Sequence, residues 1–355
     1  MNRFFVPTLL SSVATSLLVG LLVLTALTGC NRALEKPDVL PWSDAFIEAG
    51  RLSGDERRDA LRKLIETAPS EERRRRAQFD LASFELRHGD KDVGREIFKS
   101  IIAADGSDRI ASRSRYELGR MAFEVDQDPR AGEEMLVATI LETAPWAGAD
   151  LALEYLLRHH SRAQTLPLFA QELESLAGEQ KENRLAARLY LERGKIIGAI
   201  PGRANDALQA YRLAFQRCPD CAASEDALME MAEIYQRFGQ PAAAIQALTI
   251  VANRTQRSFF VGTYSSHRAS EARFTLGSIA MDQLEDYEKA RDHFERFLRD
   301  FEGHIRTDHV AWRLVLLERE TGSPRAYRRA LERFVSEYPY SRFLSEARTR
   351  LEEVS

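Results

Sequence analysis

The chain of 355 residues holds only three cysteines, 12 prolines and 19 glycines. So few cysteines exclude a small disulfide scaffold, and so little proline and glycine excludes a collagenous or low-complexity chain. Charge of one sign is missing too: 50 lysines and arginines face 54 aspartates and glutamates, for a formal net charge of −4. Nucleic-acid binders usually carry a basic face, and this balance supplies none, so no nucleic-acid partner is expected. Long alternating runs of Val, Ile and Thr are absent, which argues against a β-sheet core. No glycine-rich phosphate loop, His-Glu-x-x-His or Gly-x-Ser-x-Gly occurs. Neither a catalytic residue, a cofactor nor a small-molecule substrate is therefore expected.

What is present is helix-forming. Ala, Leu, Glu and Arg dominate a chain that is 44% apolar and 29% charged, the balance of a folded all-α protein. Residues 185–255 read as four helices in two pairs. The second helix of each pair carries a small residue, an apolar one four later and another three after that: Ala207, Tyr211, Ala214 and Ala244, Leu248, Val251. Stepping upstream finds Arg57, Leu61, Leu64; Gly94, Phe98, Ile101; Ala131, Met135, Ala138; and Phe169, Leu173, Leu176. Downstream lie Ala290, Phe294, Phe297 and Tyr327, Leu331, Phe334. The steps are 37, 37, 38, 38, 37, 46 and 37 residues. Pro69, Pro219 and Pro339 each follow their anchor by twelve residues, where a missing N–H stops a helix. Leu81-Ala82, Leu118-Gly119 and Leu276-Gly277 set a large residue beside a small one in the first helices.

These features resemble tetratricopeptide repeats over residues 43–340. The resemblance implies an all-α, right-handed α-solenoid of about eight helix pairs, with Ser341–Val354 as a C-terminal capping helix. A terminal repeat has no neighbour and needs such a cap. Arg57, Phe169 and Tyr327 stand where the family prefers Ala, so the first, fourth and last pairs are expected to pack irregularly. The family's groove positions carry over to Phe79 and Arg87; Tyr116, Arg120 and Phe123; Glu233, Gln236 and Arg237; and Phe274 with Met281. Aromatic rings beside arginine suit peptide recognition, and the same rings also suit packing between helices.

The first 29 residues stand apart. Arg3 precedes an apolar run from Leu9 to Leu27, the pattern of an export signal. Leu27-Thr28-Gly29-Cys30 resembles the lipobox of bacterial lipoproteins. That implies cleavage before Cys30 and a diacylglycerol-bearing thiol. Asn31 in place of Asp implies, by the same resemblance, the periplasmic face of the outer membrane. Residues 30–42 then form a lipidated tether, and 43–355 the solenoid. Phe334, Tyr338, Pro339, Ser341 and Ala347 repeat a spacing seen in periplasmic repeat lipoproteins, resembling the barrel-assembly-machine lipoprotein and Tol-Pal-associated proteins.

Three local features remain. The long 46-residue step leaves an insert loop, 254–268, where Phe259, Phe260 and Tyr264 either plug the solenoid or offer a docking loop. Cys218-Pro219-Asp220-Cys221 is a candidate disulfide across a turn, with free thiols or redox work as alternatives. His159-His160 read as helix-end surface residues rather than metal ligands, and Arg73 to Arg76 as a run of surface ion pairs, with one or two members pointing into the groove as the alternative. The leading expectation is a non-catalytic, lipid-anchored scaffold for other envelope proteins or peptides, in barrel assembly or envelope maintenance. A pilotin-like chaperone and a thiol-redox accessory using Cys218 and Cys221 are the alternatives.

Overall fold

The computed structural model describes residues 41–258, 262–265 and 268–354. Cys30, Phe259, Phe260, the leader and most of the tether lie outside the described residues. Within them, 17 helices run as eight pairs and a terminal cap, a helical solenoid architecture. The pairs are α1/α2 (Trp42–Arg51, Gly54–Glu66), α3/α4 (Glu71–His88, Lys91–Ala104) and α5/α6 (Arg109–Glu124, Pro129–Glu142). They continue as α7/α8 (Ala147–Arg162, Leu166–Glu179), α9/α10 (Asn183–Gly198, Ala204–Arg217) and α11/α12 (Ala222–Arg237, Pro241–Ala252). The last are α13/α14 (Ala269–Asp282, Tyr287–Asp300) and α15/α16 (Thr307–Thr321, Pro324–Glu337), closed by α17 (Leu344–Glu353). The helices form two compact units, divided between Ala104 and Asp105, where the sequence suggested one array.

The helix boundaries follow from local chemistry. Ser70, Asp108, Asp128, Glu182, Asp286 and Ser323 accept backbone N–H bonds at helix starts. Pro129, Pro241 and Pro324 occupy the first helical position, where no N–H is needed. Turns inside several pairs use a left-handed residue, Gly202 and Gly239 in two and Gln127 and Glu285 in two others. In the last two cases the following aspartate N–H bonds to Ala122 or Ala280 at 2.9 and 2.8 Å, so one turn is built twice.

Three pairs interlock through a glycine in the first helix. A Cβ on Gly119 would stand 2.6 Å from Leu136, one on Gly194 2.3 Å from the Tyr211 ring, and one on Gly277 2.5 Å from the Phe294 ring. That geometry corrects one rung of the ladder. In α6 the buried residues are Gly132, Leu136, Thr139 and Ile140, while Met135 is 46% exposed. The true triplet sits one residue beyond Ala131, Met135, Ala138. Sequence could not separate the two registers, because each offers a small residue followed by an apolar one. The Phe123 ring decides it, closing so tightly over Gly132 that a Cβ there would lie 2.3 Å away.

Second-helix C-termini expose carbonyls that need partners. Trp42 Nε1 donates to Leu64 O at 2.9 Å, Gln180 Nε2 to Ile140 O at 2.6 Å, and Ser224 Oγ to Ala214 O at 3.2 Å. Arg75 and Arg273 reach Ile101 O at 3.4 Å and Ala252 O at 2.9 Å. The four-arginine run is thus not a set of surface ion pairs. Arg74 pairs with Glu71 at 2.7 Å. Arg73 and Arg76 lie over the stacked rings of Trp42 and Phe46, and Arg75 is buried as a helix cap.

The insert is also not a plain loop. Strands β1 (Thr255–Ser258) and β2 (Gly262–Ser265) pair antiparallel, with Gln256 opposite Tyr264. Thr255, Thr263 and Tyr264 favour extended backbone, a signal that the helical period around them obscured.

Candidate binding face

First helices pack on first helices across two pair boundaries, α5 on α7 and α9 on α11, while α9 reaches α7 through the Arg188–Asp150 ion pair at 2.5 Å. Second helices meet less: α6 touches α8 only lightly. The fourth pair is irregular, as its Phe169 implied. Helix α8 packs mainly on α9 and makes slight contact with α7. A stacked His160–Phe169 contact bridges the gap, with ring centroids 4.2 Å apart.

On α5 and α7 the structure gathers an aromatic and basic group. Phe123 lies 5.2 Å from the Tyr155 ring and 4.7 Å from His159, and Tyr116 meets Tyr155 edge-on at 6.5 Å. Arg120 bridges Glu117 and Glu124, both at 2.7 Å. Burial works against the Arg120 charge, but these two carboxylates outweigh it and hold its pKa above the ordinary value. Burial likewise raises the hydroxyls of Tyr116 and Tyr155. Tyr155 and His159 were absent from the sequence-derived set. Leu157 stands where a small residue would have marked α7 as a first helix, so the motif gave no register there.

The other candidates divide. Phe79 is a core residue, 9% exposed and edge-on to Phe98 of its own pair at 5.5 Å. Arg87 is exposed at the end of α3, its Nε donating to Ser83 O at 3.0 Å. Phe274 is half-buried against Phe294 and against His309 of the next pair at 4.9 Å, with Arg306 above it and Met281 in the same cluster. Tyr116 is also largely buried, at 9% exposure. These rings join helices together rather than face solvent, each packing against another aromatic ring of its own or the next pair. Glu233 and Arg237 are exposed on α11, and Gln236 folds back onto Ala232 O at 3.3 Å. Neighbouring Glu230 is half-buried, and burial with the nearby Glu233 charge raises its carboxyl pKa.

Between the N-terminal ends of α7, α9 and α11 lies a cleft of about 800 Å³. Trp146, Leu185 and Leu191 form its apolar wall, and Asp150, held by Arg188 at 2.5 Å, part of its polar rim. Cys218 and Cys221 border it as free thiols, so the candidate bridge is not formed in this structure. His160 is not a surface residue. It is 8% exposed, with Nδ1 2.8 Å from Thr165 and Nε2 3.1 Å from Glu133, and burial lowers its pKa. Among the described residues no group of three or more His, Cys, Asp or Glu could hold a metal ion, and no helix is long and apolar enough to cross a membrane.

The tetratricopeptide repeat family matches residues 226–254, the α11/α12 pair. No curated protein matches the sequence. Among solved structures, the chain is similar to a monomeric mutant of IFIT1 with m7Gppp-AAAA, at 13% identity and a TM-score of 0.42, covering 96% of this chain and 76% of that one. It is similar also to the human IFIT1 dimer with m7Gppp-AAAA, at 12% identity and a TM-score of 0.40, covering 96% and 78%. The repeat match and the paired helices support a tetratricopeptide-repeat protein, a fold that generally serves as a non-catalytic protein–protein interaction scaffold. One expectation is corrected. These similar structures hold capped RNA, so the exclusion of nucleic-acid partners does not stand. Net charge was the wrong measure, since a solenoid binds through one face and only the charge on that face matters.

Proposed function

We propose that this protein is a lipid-anchored scaffold of the bacterial envelope, holding partner proteins on the first-helix face of α5, α7, α9 and α11. The observation that carries the binding part is the direct packing of α5 on α7 and of α9 on α11. It sets the Phe123, Tyr155 and His159 rings together, and the helix that carries Tyr155 and His159 also carries exposed Arg158. Rings that are rigid on one side and wet on the other suit peptide and helix recognition. The anchoring part rests on Leu27-Thr28-Gly29-Cys30 and on Asn31, which favours the outer membrane. Each buried methylene of an acyl chain contributes about 0.8 kcal/mol, so a diacylated thiol holds firmly.

Arg120 is a poor probe because Glu117 and Glu124 already neutralise it. Arg158 and Arg237 are exposed and can be reversed without disturbing the core. Crosslinking in intact cells, followed by purification, should recover a protein partner with the parent chain and much less with the Arg158→Glu, Arg237→Glu double variant. Recovery of RNA in place of protein, or equal protein recovery by the variant, would overturn the binding-face assignment. Cys30→Ser should move the protein from the membrane to the soluble fraction; continued membrane retention after signal cleavage would remove the lipid anchor from the proposal.

A further inference from the structure

The motif that this function leaves unused is Cys218-Pro219-Asp220-Cys221, in the turn from α10 to α11. Cys218 is the C-cap of α10 and Cys221 the N-cap of α11. Cys221 donates to the Cys218 carbonyl twice, from its backbone N–H at 3.2 Å and from its thiol at 3.0 Å. Ser224 Oγ donates to the same carbonyl at 2.5 Å and to Ala214 O at 3.2 Å, so the turn is also held by a group other than the thiols. The bonds from Cys221 to the Cys218 carbonyl close the turn and hold the two cysteines at its two ends. Both border the cleft of about 800 Å³, which provides a path for a reagent.

Two familiar uses of such a pair do not fit. A metal site needs more ligands, and no group of three or more is available among the described residues. A thioredoxin-like catalyst needs its first cysteine at a helix N-terminus with a depressed pKa. Here Cys218 ends a helix, and burial, then the Cys221 hydrogen bond, then the Glu182 and Asp220 charges push its thiol up to about 12.

We infer that Cys218 and Cys221 form an oxidation-sensitive modification site that closes to an intramolecular disulfide by exchange with a disulfide reagent entering the cleft. One cysteine loses its proton and attacks a sulfur of R–S–S–R, forming a protein–S–S–R mixed disulfide and releasing RS⁻, which takes up the proton. The second cysteine attacks the protein sulfur of that mixed disulfide and releases the second RSH. One reagent disulfide becomes two thiols while two protein thiols become one bridge. The bridge fixes the α10–α11 turn at the edge of the cleft. This inference stands whether or not the protein is lipid-anchored.

The test uses the full chain with Cys30→Ser, which leaves two of the three cysteines. Oxidised glutathione is the probe, read by intact mass and by the number of cysteines open to alkylation. The expected product has lost two hydrogens, carries no glutathione and has no alkylatable thiol. Because the thiolate attacks, its rate should rise about tenfold per pH unit between pH 7 and 9. Asp220→Asn should react several-fold faster at pH 7, since one opposing charge is gone. Circular dichroism before and after separates bridging from unfolding. A stable glutathione adduct on one cysteine, a disulfide-linked dimer, or two thiols still alkylatable would each overturn the inference.

Discussion

Leu136 and Met135 are neighbours in α6, yet the structure assigns them opposite roles, and truncating each tests the register of the third pair. Leu136 is fully buried and stands against Gly119, whereas Met135 is 46% exposed. Leu136→Ala removes a packed side chain opposite a residue with no side chain to fill the gap. Core Leu→Ala changes cost about 2–5 kcal/mol, more when the site cannot collapse, so about 4 kcal/mol is expected here. Met135→Ala removes a half-exposed side chain and should cost less than about 1 kcal/mol. Both place Ala, the best helix former, in a helix, so backbone propensity does not confound the comparison. Urea denaturation followed by helical circular dichroism measures the difference. At an m-value of about 2 kcal/mol/M the midpoints should fall by about 2 M and by less than about 0.5 M. Repeat arrays can lose two-state cooperativity, so hydrogen exchange of peptides from α5 and α6 should accompany the midpoints. If Met135→Ala proves as costly as Leu136→Ala, the assigned register and the Gly119 interlock are both wrong.

Other outcomes follow from the same geometry. Gly277→Ala puts a Cβ 2.5 Å from Phe294, an overpacking cost of about 1–3 kcal/mol that Phe294→Leu should partly relieve in a double-mutant cycle; additive costs would disprove the contact. Burial lowers the pKa of His160, His293 and His309 below the unfolded value of about 6.5. The unfolded chain therefore takes up protons first as pH falls. The stabilisation present above about pH 6.5 should be lost progressively below it, and His160→Gln should shallow that slope in denaturation at pH 7.5, 6.5 and 5.5. Trp42→Phe deletes the donor to Leu64 O and should destabilise the first unit by about 1 kcal/mol in a midpoint measurement; no change would mean that water satisfies the carbonyl equally well.

Much of the architecture was legible before any coordinates. A period near 37 residues is a local property, since a helix pair, its turn and its stop signal all lie within one repeat. Seven of the eight triplets therefore fall on second helices in the expected register, and the cap at Leu344–Glu353 lies inside the stretch assigned to it. The third triplet slipped because Ala131, Met135, Ala138 and Gly132, Leu136, Thr139 are equally good patterns. Only the Phe123 ring over Gly132 chooses between them.

Binding residues were less legible, because a groove position names a place on a helix and not what that place touches. Phe79 and Phe274 follow the motif and yet pack between helices, while Tyr155 and His159 reach the α5–α7 face from a helix whose small-residue marker is missing. Arg73 to Arg76 make the same point: one charge run serves as two ring contacts, an ion pair and a helix cap. Sequence alone determined the helices, their pairing and their stops, because those depend on residues at most one repeat apart. The tertiary structure decided which side chains stay exposed to meet a partner, because exposure depends on the neighbouring repeat and on which rings pack across the helices.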